Sequence, residues 1–432
     1  MVSAVILAAG KGTRMVSNTP KVLHPVLGQP LLGYVLEAVE AGGCTERVVV
    51  IGYGKEQVRE VFQDSGVTWA EQDNQRGTGD AASIGVERVV ELLESSKASP
   101  GTESQKVLIL NGDLPLIRAE TIQTLIERHD SAGVGVTILG CLRADPSGYG
   151  RIVREGGRAD GKFEAIVEHG DADEAVLAIR EVNVGVYLFD LEVFRSAFAR
   201  TGTDNAQGEY YLTDVVTEAA AAGHGVGIFS ISDEAEVAQV NSRSELAEVS
   251  GLLRRHILDE LMANGVTIDD PDTTYVEKGV RIGQDCRILP FTYIHHGVEI
   301  ESGTEVGPFS RLRVGTILRS GSSVGNFVEI KNSDIGSGTK VRHLSYVGDA
   351  DVGDHVNVGA GTVFANYDGK KKHKTTVEEQ VLIGSGTILI PPLKLGRGCK
   401  TGAGAVVTRG NDVPDGVVVV GVPARPLPVR ET

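Results

Sequence analysis

The stretch from residue 276 to residue 330, VEKGVRIGQDCRILPFTYIHHGVEIESGTEVGPFSRLRVGTILRSGSSVGNFVEI, decides the fold of the second part of the chain. It carries an aliphatic residue at every sixth position, without a break: Val276, Ile282, Ile288, Ile294, Ile300, Val306, Leu312, Leu318, Val324 and Ile330. A period of six fits neither an amphipathic helix nor simple alternation alone. It is typical of a solenoid of six-residue rungs, whose aliphatic side chains stack along one axis.

The same period continues toward the C-terminus, with two shifts of one residue and one polar insertion. The later positions are Ile335, Val341, Val347, Val352, Val358, Phe364, Val377, Ile383, Leu389 and Leu395. Glycines such as Gly325 and Gly359 follow these positions, where we expect the chain to turn a corner without a Cβ clash. We therefore predict a parallel β-helix over residues 266–432, joined to the first part by a helical linker at 244–265.

The first part, residues 1–243, alternates apolar strands with helical stretches, which is typical of a doubly wound α/β domain. A strand at residues 4–9 leads into the glycine-rich loop GKGTRM, which could cradle phosphate through its N–H groups or could be a tight turn. A second strand at residues 107–110 ends in NGDLP. Its Asp113 could hold Mg²⁺ at the edge of the sheet where ligands bind, or could cap the next helix.

Charge and composition limit the kinds of partner that we expect this protein to bind. The 432 residues include 42 Lys and Arg against 58 Asp and Glu, a net charge of −16. Residues 266–432 hold equal numbers of each sign, so residues 1–265 carry the whole excess. An acidic domain is a poor binder of nucleic acid, because the phosphate backbone needs a basic surface. With no signal-peptide pattern and no long apolar run, we expect a cytoplasmic protein without nucleic-acid or membrane partners.

Several motifs of the first part resemble those of the sugar-1-phosphate nucleotidyltransferases: LAAGKGTRM, PKVL, QRGTGDA, NGDLPL, GYGRIV, IVEH and NVGVY. Together with the six-residue period, the chain resembles the bifunctional N-acetylglucosamine-1-phosphate uridyltransferases and glucosamine-1-phosphate acetyltransferases from residue 4 to about residue 426. The resemblance implies a Rossmann-like mixed sheet followed by a left-handed parallel β-helix. It also implies a homotrimer whose acetyl-CoA sites lie between subunits.

The resemblance assigns the residues of a uridyltransferase site that uses UTP, N-acetylglucosamine 1-phosphate and Mg²⁺. Nucleotide binding falls to Leu7, Ala8, Ala9, Gly10, Lys21, Gln72, Gly77 and Thr78. Sugar binding falls to Asn111, Gly112, Asp113, Gly150, Glu168 and Asn183. Asp113 and Asn241 match the magnesium ligands, and we expect Lys21 and Arg14 to neutralise charge during transfer.

The resemblance also assigns an acetyltransferase site that takes glucosamine 1-phosphate and acetyl-CoA. His343 matches the general base, a role that suits an imidazole at neutral pH, although a lone histidine on a coil is often only solvated. Sugar-phosphate binding falls to Arg313, Lys331, Tyr346 and Asn357. Acetyl-CoA binding falls to Ala360, Asn366, Tyr367, Ser385 and Ala403. The lysine-rich run 370–374 is either a solvated loop or a contact for the CoA phosphates.

One departure and two rival functions remain open at this point. The family's C-terminal arginine that contacts CoA aligns with Gly421, and Arg425, four residues later, is a candidate substitute. The first rival function is a monofunctional sugar-1-phosphate nucleotidyltransferase with a structural β-helix. The second is a non-enzymatic regulatory subunit with the same two folds. The side chains at His343 and residues 366–367 favour the bifunctional enzyme, because a purely structural coil has no use for them.

Overall fold

The computed structural model describes residues 1–95, 105–158, 160–205 and 207–427. The chain divides into two compact units, Met1–Ser250 and Gly251–Thr432. Each unit has its own hydrophobic core, and each is described by itself below.

The first unit is an α/β domain. Its strands are β1 Val2–Ala8, β2 Pro25–Val26, β3 Gln29–Pro30, β4 Glu46–Ile51, β5 Thr68–Glu71, β6 Lys106–Asn111, β7 Val136–Leu142, β8 Gly150–Arg154, β9 Phe163–Val167, β10 Glu181–Asp190 and β11 Val226–Ile231. The α-helices of the described residues are α1 Leu31–Ala41, α2 Lys55–Val61, α3 Thr78–Ser95, α4 Ala119–Ala132, α5 Glu174–Leu177, α6 Leu191–Phe198, α7 Leu212–Ala221 and α8 Arg243–Ala263. Helix α8 covers most of the segment in which the sequence predicts a linker.

The main sheet has the strand order β11-β7-β10-β6-β1-β4-β5. Strand β10 is antiparallel to β6 and β7, and the other neighbouring pairs are parallel, so the sheet is mixed, as predicted. The central strands are continuous apolar runs because helices cover both faces of a sheet of this kind. Leu7 of β1 is in register with Asn111 of β6, which brings the ends of these two strands together.

The second unit is a coil of short parallel strands. They are β12 Thr267–Ile268, β13 Tyr275–Val276, β14 Arg281–Ile282, β15 Arg287–Ile288, β16 Tyr293–Ile294, β17 Glu299–Ile300, β18 Glu305–Val306, β19 Arg311–Leu312, β20 Ile317–Leu318, β21 Ser323–Asn326, β22 Glu329–Lys331, β23 Asp334–Ile335, β24 Lys340–His343, β25 Tyr346–Gly348, β26 Ala350–Val352, β27 Asn357–Val358, β28 Val363–Phe364, β29 Thr375–Val377, β30 Leu382–Ile383, β31 Ile388–Leu389, β32 Leu393–Leu395, β33 Lys400–Thr401, β34 Val406–Val407, β35 Val418–Val420 and β36 Arg425–Pro426. Each strand pairs with the third strand after it, as β12 does with β15, and this pairing gives three sheets that run along the coil. The predicted parallel β-helix is confirmed.

The core of the coil is the predicted aliphatic column. The side chains at the predicted period are buried, with Ile282 near the start of the coil only partly so. A Cβ at Gly325 would meet the backbone of Arg342 in the next turn of the coil, so this glycine is needed for the close approach between turns. Within the described residues, no helix has the length and apolar character that crossing a membrane requires.

Candidate active sites

The ends of β1, β5 and β6 form the wall of a cavity of about 340 Å³ in the first unit. The predicted residues that line it are Leu7, Ala8, Ala9, Gly10, Lys21, Gln72, Gly77, Thr78, Asn111, Asp113 and Asn241. Ligands of open α/β sheets bind at this edge, beyond the carboxyl ends of the strands. The structure therefore brings together residues that are widely separated in sequence.

Lys21 lies between the two predicted metal ligands. Its Nζ forms an ion pair with Oδ2 of Asp113 and donates a hydrogen bond to Oδ1 of Asn241 over 3.0 Å. The backbone supports this arrangement, because the N–H of Val240 donates to the carbonyl of Asp113. The carboxylate of Asp113 therefore faces the cavity and a cation. It does not cap the following helix, α4, which begins only at Ala119.

Gly77 lies in the wall of this cavity, where it allows a close approach between two segments. Gly77 has a φ of 111°, and a Cβ there would collide with the carbonyl of Tyr210. The segment around Tyr210 is tied to the loop by two backbone hydrogen bonds of 2.8 Å, from Gly79 to Tyr210 and from Tyr210 to Arg76. The loop that carries Gln72 and Thr78 is thus fixed by packing against a distant segment.

A smaller cavity of about 170 Å³ adjoins the first and shares Thr78, Asn111 and Gln239 with it. It is lined by the predicted sugar-binding residues Gly150, Glu168 and Asn183. Burial raises the pKa of Glu168, although the hydroxyl of Thr213 donates to its carboxylate.

Polar contacts also fix the side chain of Asn183 in this smaller cavity. Its amide donates to the hydroxyl of the buried Tyr187 over 2.7 Å. The two cavities are joined through the residues that they share.

Two predicted residues of this site lie outside the cavity lining. Arg14 is exposed in a short 3-10 helix and does not line either cavity. Gly112 is held behind the wall, where its N–H donates to the carbonyl of Leu7. Conversely, Gln75, Glu209 and Gln239 line the larger cavity, and sequence reasoning missed them. Gln239 stands two residues before Asn241, a spacing that could have signalled it.

In the second unit, successive turns of the coil place the predicted base and the predicted CoA-binding residues in one column along a corner. The column consists of Asn326, His343, Ala360, Ser385 and Ala403. Backbone hydrogen bonds link successive members of this column. Each bond runs from the N–H of the residue that follows the later member to the carbonyl of the earlier member: Leu344 to Asn326 (3.0 Å), Gly361 to His343 (3.3 Å), Gly386 to Ala360 (2.7 Å) and Gly404 to Ser385 (2.8 Å). Nδ1 of His343 lies 3.1 Å from Oδ1 of Asn326, and the imidazole is exposed.

Two cationic side chains, Arg313 and Lys331, lie on or beside the sheet that follows this corner along the chain. Arg313, Lys331 and Tyr346 lie on or beside strands β19, β22 and β25 of one sheet. The ammonium group of Lys372, together with partial burial, lowers the pKa of Lys331. Two neighbouring cations of this kind favour an anionic ligand such as a phosphate.

Three other predicted residues of the second unit occupy different surroundings. Asn366 is buried, and its amide donates to the carboxylate of Asp349. Asn357 lies on the preceding sheet, paired with Lys340, and not on the face that carries Tyr346. Tyr367 is exposed at the start of the lysine-rich insertion.

Asp368 organises that insertion. Its carboxylate accepts from the N–H groups of Lys370 and Lys371 and contacts the ring of His373 over 2.6 Å. These hydrogen bonds hold the pKa of Asp368 below its usual range. The insertion is therefore an ordered loop that presents lysines on a fixed scaffold.

The fold and these sites define a nucleotidyltransferase fused to a hexapeptide-repeat transferase. Residues 4–151 match the MobA-like NTP transferase domain family, and residues 279–313 match the bacterial transferase hexapeptide (six repeats) family. The chain is 40% identical to the bifunctional protein GlmU of Corynebacterium aurimucosum and to that of Thermobifida fusca, over 97% of this chain and 91% of each relative. It is also 40% identical to the bifunctional protein GlmU of Syntrophomonas wolfei, over 97% of both chains.

The chain belongs to the bifunctional GlmU family. The predicted family is confirmed, and the protein is a bifunctional enzyme rather than a nucleotidyltransferase with a merely structural coil.

Proposed function

We propose that the protein makes UDP-N-acetylglucosamine in two steps. The second unit transfers an acetyl group from acetyl-CoA to glucosamine 1-phosphate, and the first unit transfers uridylate from UTP to the resulting N-acetylglucosamine 1-phosphate. We assign the first reaction to residues 266–432, the second to residues 1–243, and a linking role to residues 244–265. The product would serve cell-wall biosynthesis in the cytoplasm.

The acetyl transfer is supported chiefly by the column that contains Asn326 and His343. Because Oδ1 of Asn326 can only accept, the hydrogen of the imidazole lies on Nδ1, and Nε2 keeps a lone pair. As the sugar amine attacks the thioester carbonyl, Nε2 takes its proton; when the C–S bond breaks, that proton passes to the sulfur and CoA leaves as a thiol. Ala360, Ser385 and Ala403 continue the column and would line the path of acetyl-CoA.

The acceptor phosphate would bind on the face beside this column. Arg313, Lys331 and Lys372 supply positive charge there, and Tyr346 lies between them and the corner. The sequence left the lysine-rich run 370–374 as either a solvated loop or a contact for the CoA phosphates, whereas the proximity of Lys372 to Lys331 favours a contact with the sugar phosphate. Arg425 is exposed at the C-terminal end and stays the candidate for a CoA contact.

The uridylyl transfer is supported by the two connected cavities. A phosphate oxygen of the sugar phosphate attacks the α-phosphorus of UTP, and pyrophosphate leaves. Lys21 lies where it can neutralise phosphate charge, and the Leu7–Gly10 backbone borders the same cavity. Gln72, Gly77 and Thr78 would hold the uracil, while Glu168 and Asn183 would hold the sugar.

The residues present fit a magnesium ion. Oδ2 of Asp113 and Oδ1 of Asn241 already converge on one cationic group, and Oδ1 of Asp113 is a buried oxygen without a hydrogen-bond partner among the described residues. Hard oxygen donors of this kind suit Mg²⁺, which commonly takes one or two protein ligands and completes its shell with waters and substrate phosphates. When bound, the ion would neutralise charge on the triphosphate.

A homotrimer is supported by an exposed apolar ladder on the coil. Its members, Phe291, Phe309, Phe327 and Leu344, are between 47% and 62% exposed. The phenylalanine rings stack on one another at centroid distances of 4.8 and 5.3 Å. Phe327 and Leu344 directly follow Asn326 and His343, so a subunit that covers the ladder would also border the proposed base.

The proposed function is tested by incubating the protein with glucosamine 1-phosphate, acetyl-CoA, UTP and Mg²⁺, leaving out each component in turn. Mass spectrometry should identify UDP-N-acetylglucosamine only in the complete mixture. Without UTP or Mg²⁺, the products should be N-acetylglucosamine 1-phosphate and CoA. Failure to acetylate glucosamine 1-phosphate in the complete mixture would contradict the proposal.

A further inference from the structure

The side-chain amide of Gln72, in the wall of the nucleotide cavity, is held between two acceptors. Gln72 is 4% exposed and follows strand β5. Its Nε2 donates to Oδ2 of Asp80 over 2.8 Å and to the carbonyl of Gly77 over 3.1 Å. A carboxylate and a peptide carbonyl can only accept, so both N–H bonds of the amide are committed. The polar atom that the side chain can offer to a ligand is therefore its carbonyl oxygen, Oε1.

Asp80 is itself held in place. It lies in the first turn of α3, where a negative charge is favoured, and it is 3% exposed. Its second oxygen, Oδ1, accepts from Arg76 over 2.5 Å, and the guanidinium of Arg76 lies over the ring of Tyr210. The carboxylate is thus paired with a cation on one side and with the amide of Gln72 on the other.

This arrangement removes an ambiguity that an isolated glutamine would have. A free amide can rotate by half a turn and offer either its N–H₂ or its oxygen. Rotation here would set Oε1 against two acceptors inside a buried site, which is disfavoured because the buried polar atoms would lose their hydrogen bonds. The wall consequently presents an acceptor, and it favours a base with an N–H donor at the facing position. Uracil has such a donor at N3, whereas the N3 of cytosine is an acceptor.

We propose that Asp80 is a positioning residue that sets the choice between uracil and cytosine by locking the amide of Gln72. The inference rests on the proposed uridylyl transfer, in which Gln72 faces the base. In this proposal Asp80 contacts neither the nucleotide nor the sugar, and it acts only through Gln72.

The test is the variant Asp80→Asn, which has nearly the same shape. The new carboxamide can accept from Gln72 or, after rotating, donate to it, so the flipped orientation of Gln72 is then opposed only by the carbonyl of Gly77. The ratio of kcat/KM for UTP to that for CTP, with N-acetylglucosamine 1-phosphate, should fall about tenfold or more. Asp73→Asn is the matched control, because Asp73 is close in sequence but pairs with Lys55 instead, and its ratio should match that of the wild type.

The wild-type protein supplies a second measurement that does not depend on the folding of a variant. UTP methylated at N3 keeps its shape on the ribose and triphosphate side but loses the N3 donor. It should be used about tenfold less efficiently than UTP, or worse. An unchanged UTP-to-CTP ratio in Asp80→Asn, or equal use of UTP and its N3-methyl derivative by the wild type, would overturn the inference. Absence of turnover with any nucleoside triphosphate would instead refute the proposed uridylyl transfer.

Discussion

Nδ1 of His343 lies 3.1 Å from Oδ1 of Asn326, a residue one turn of the coil earlier. The two residues are register partners in the parallel pairing of β21 with β24. The contact selects the tautomer with its hydrogen on Nδ1 and orients the ring, so the other nitrogen is ready to accept a proton. Asn326 thus orients the proposed base, His343, whose side chain is exposed.

The first prediction concerns this contact. Asn326→Ala should lower kcat for acetyl transfer about tenfold, with a smaller change in KM for glucosamine 1-phosphate, because the imidazole loses its preferred tautomer and orientation. Asn326→Asp keeps an acceptor and adds a charge that favours the imidazolium, so the acidic limb of the pH–rate profile should move to higher pH. Asn411→Ala, at an exposed turn of the same coil, is the control. A normal kcat in Asn326→Ala would contradict the assigned role.

The second prediction concerns the apolar ladder. Phe309→Glu places a charge in the middle of the stacked rings and should dissociate the proposed trimer, which sedimentation would detect. Acetyl transfer should fall at least tenfold, while uridylyl transfer stays normal. Val61→Glu introduces the same charge at an exposed apolar position of the first unit and should leave the assembly intact. A Phe309→Glu protein that keeps the wild-type mass in solution would argue against this interface.

The third prediction concerns Gly77. An alanine there must adopt a φ of 111° and would collide with the carbonyl of Tyr210, so the loop over the nucleotide should shift. Gly77→Ala should raise KM for UTP about tenfold and leave acetyl transfer unchanged. Gly202 has open space around it and no left-handed φ, so Gly202→Ala is a suitable control. Equal KM values for UTP in the two variants would show that the close approach is unimportant.

The fourth prediction concerns pH and the buried His129. Burial lowers the pKa of His129, with Asp190 opposing the effect less strongly. Because the native state favours the neutral ring, this contribution to stability is present above the unfolded-state pKa of about 6.5 and is lost as the pH falls toward the lower folded-state value.

The free energy of unfolding of the first unit should therefore decrease between pH 7 and pH 5, and the decrease should be shallower in His129→Gln. Fluorescence of Trp69, the single tryptophan of the chain, reports on this unit. His24, whose pKa is also lowered by burial, leaves some pH dependence in the variant. Identical slopes in both proteins would rule out a contribution from His129.

The coil could be predicted from the sequence because its rule is local. A side chain at every sixth position must face the axis, and Val276, Leu312 and Leu389 are indeed fully buried. The glycine-rich loop and Asp113 could also be placed, since both follow short apolar strands. The mixed character of the first sheet follows from β10, which runs against its neighbours.

The contacts that complete the sites could not be predicted in the same way. Lys21 meets Asn241 across 220 positions in the sequence, and only the folded sheet brings them together. The pair Asn326 and His343 is separated by 17 residues, one fewer than three full rungs, so it depends on a shift in the repeat. Arg14 is exposed and does not line the cavity, so its proposed role in neutralising charge stays a prediction from the motif.

The most direct test of the two-site account separates the reactions with two variants. His343→Ala should make UDP-N-acetylglucosamine from N-acetylglucosamine 1-phosphate and UTP but not from glucosamine 1-phosphate, acetyl-CoA and UTP. Asp113→Asn should convert glucosamine 1-phosphate only as far as N-acetylglucosamine 1-phosphate. A mixture of the two variants should carry out both reactions and make UDP-N-acetylglucosamine. If either variant alone converts glucosamine 1-phosphate to UDP-N-acetylglucosamine at the wild-type rate, the assignment of two separate sites is wrong.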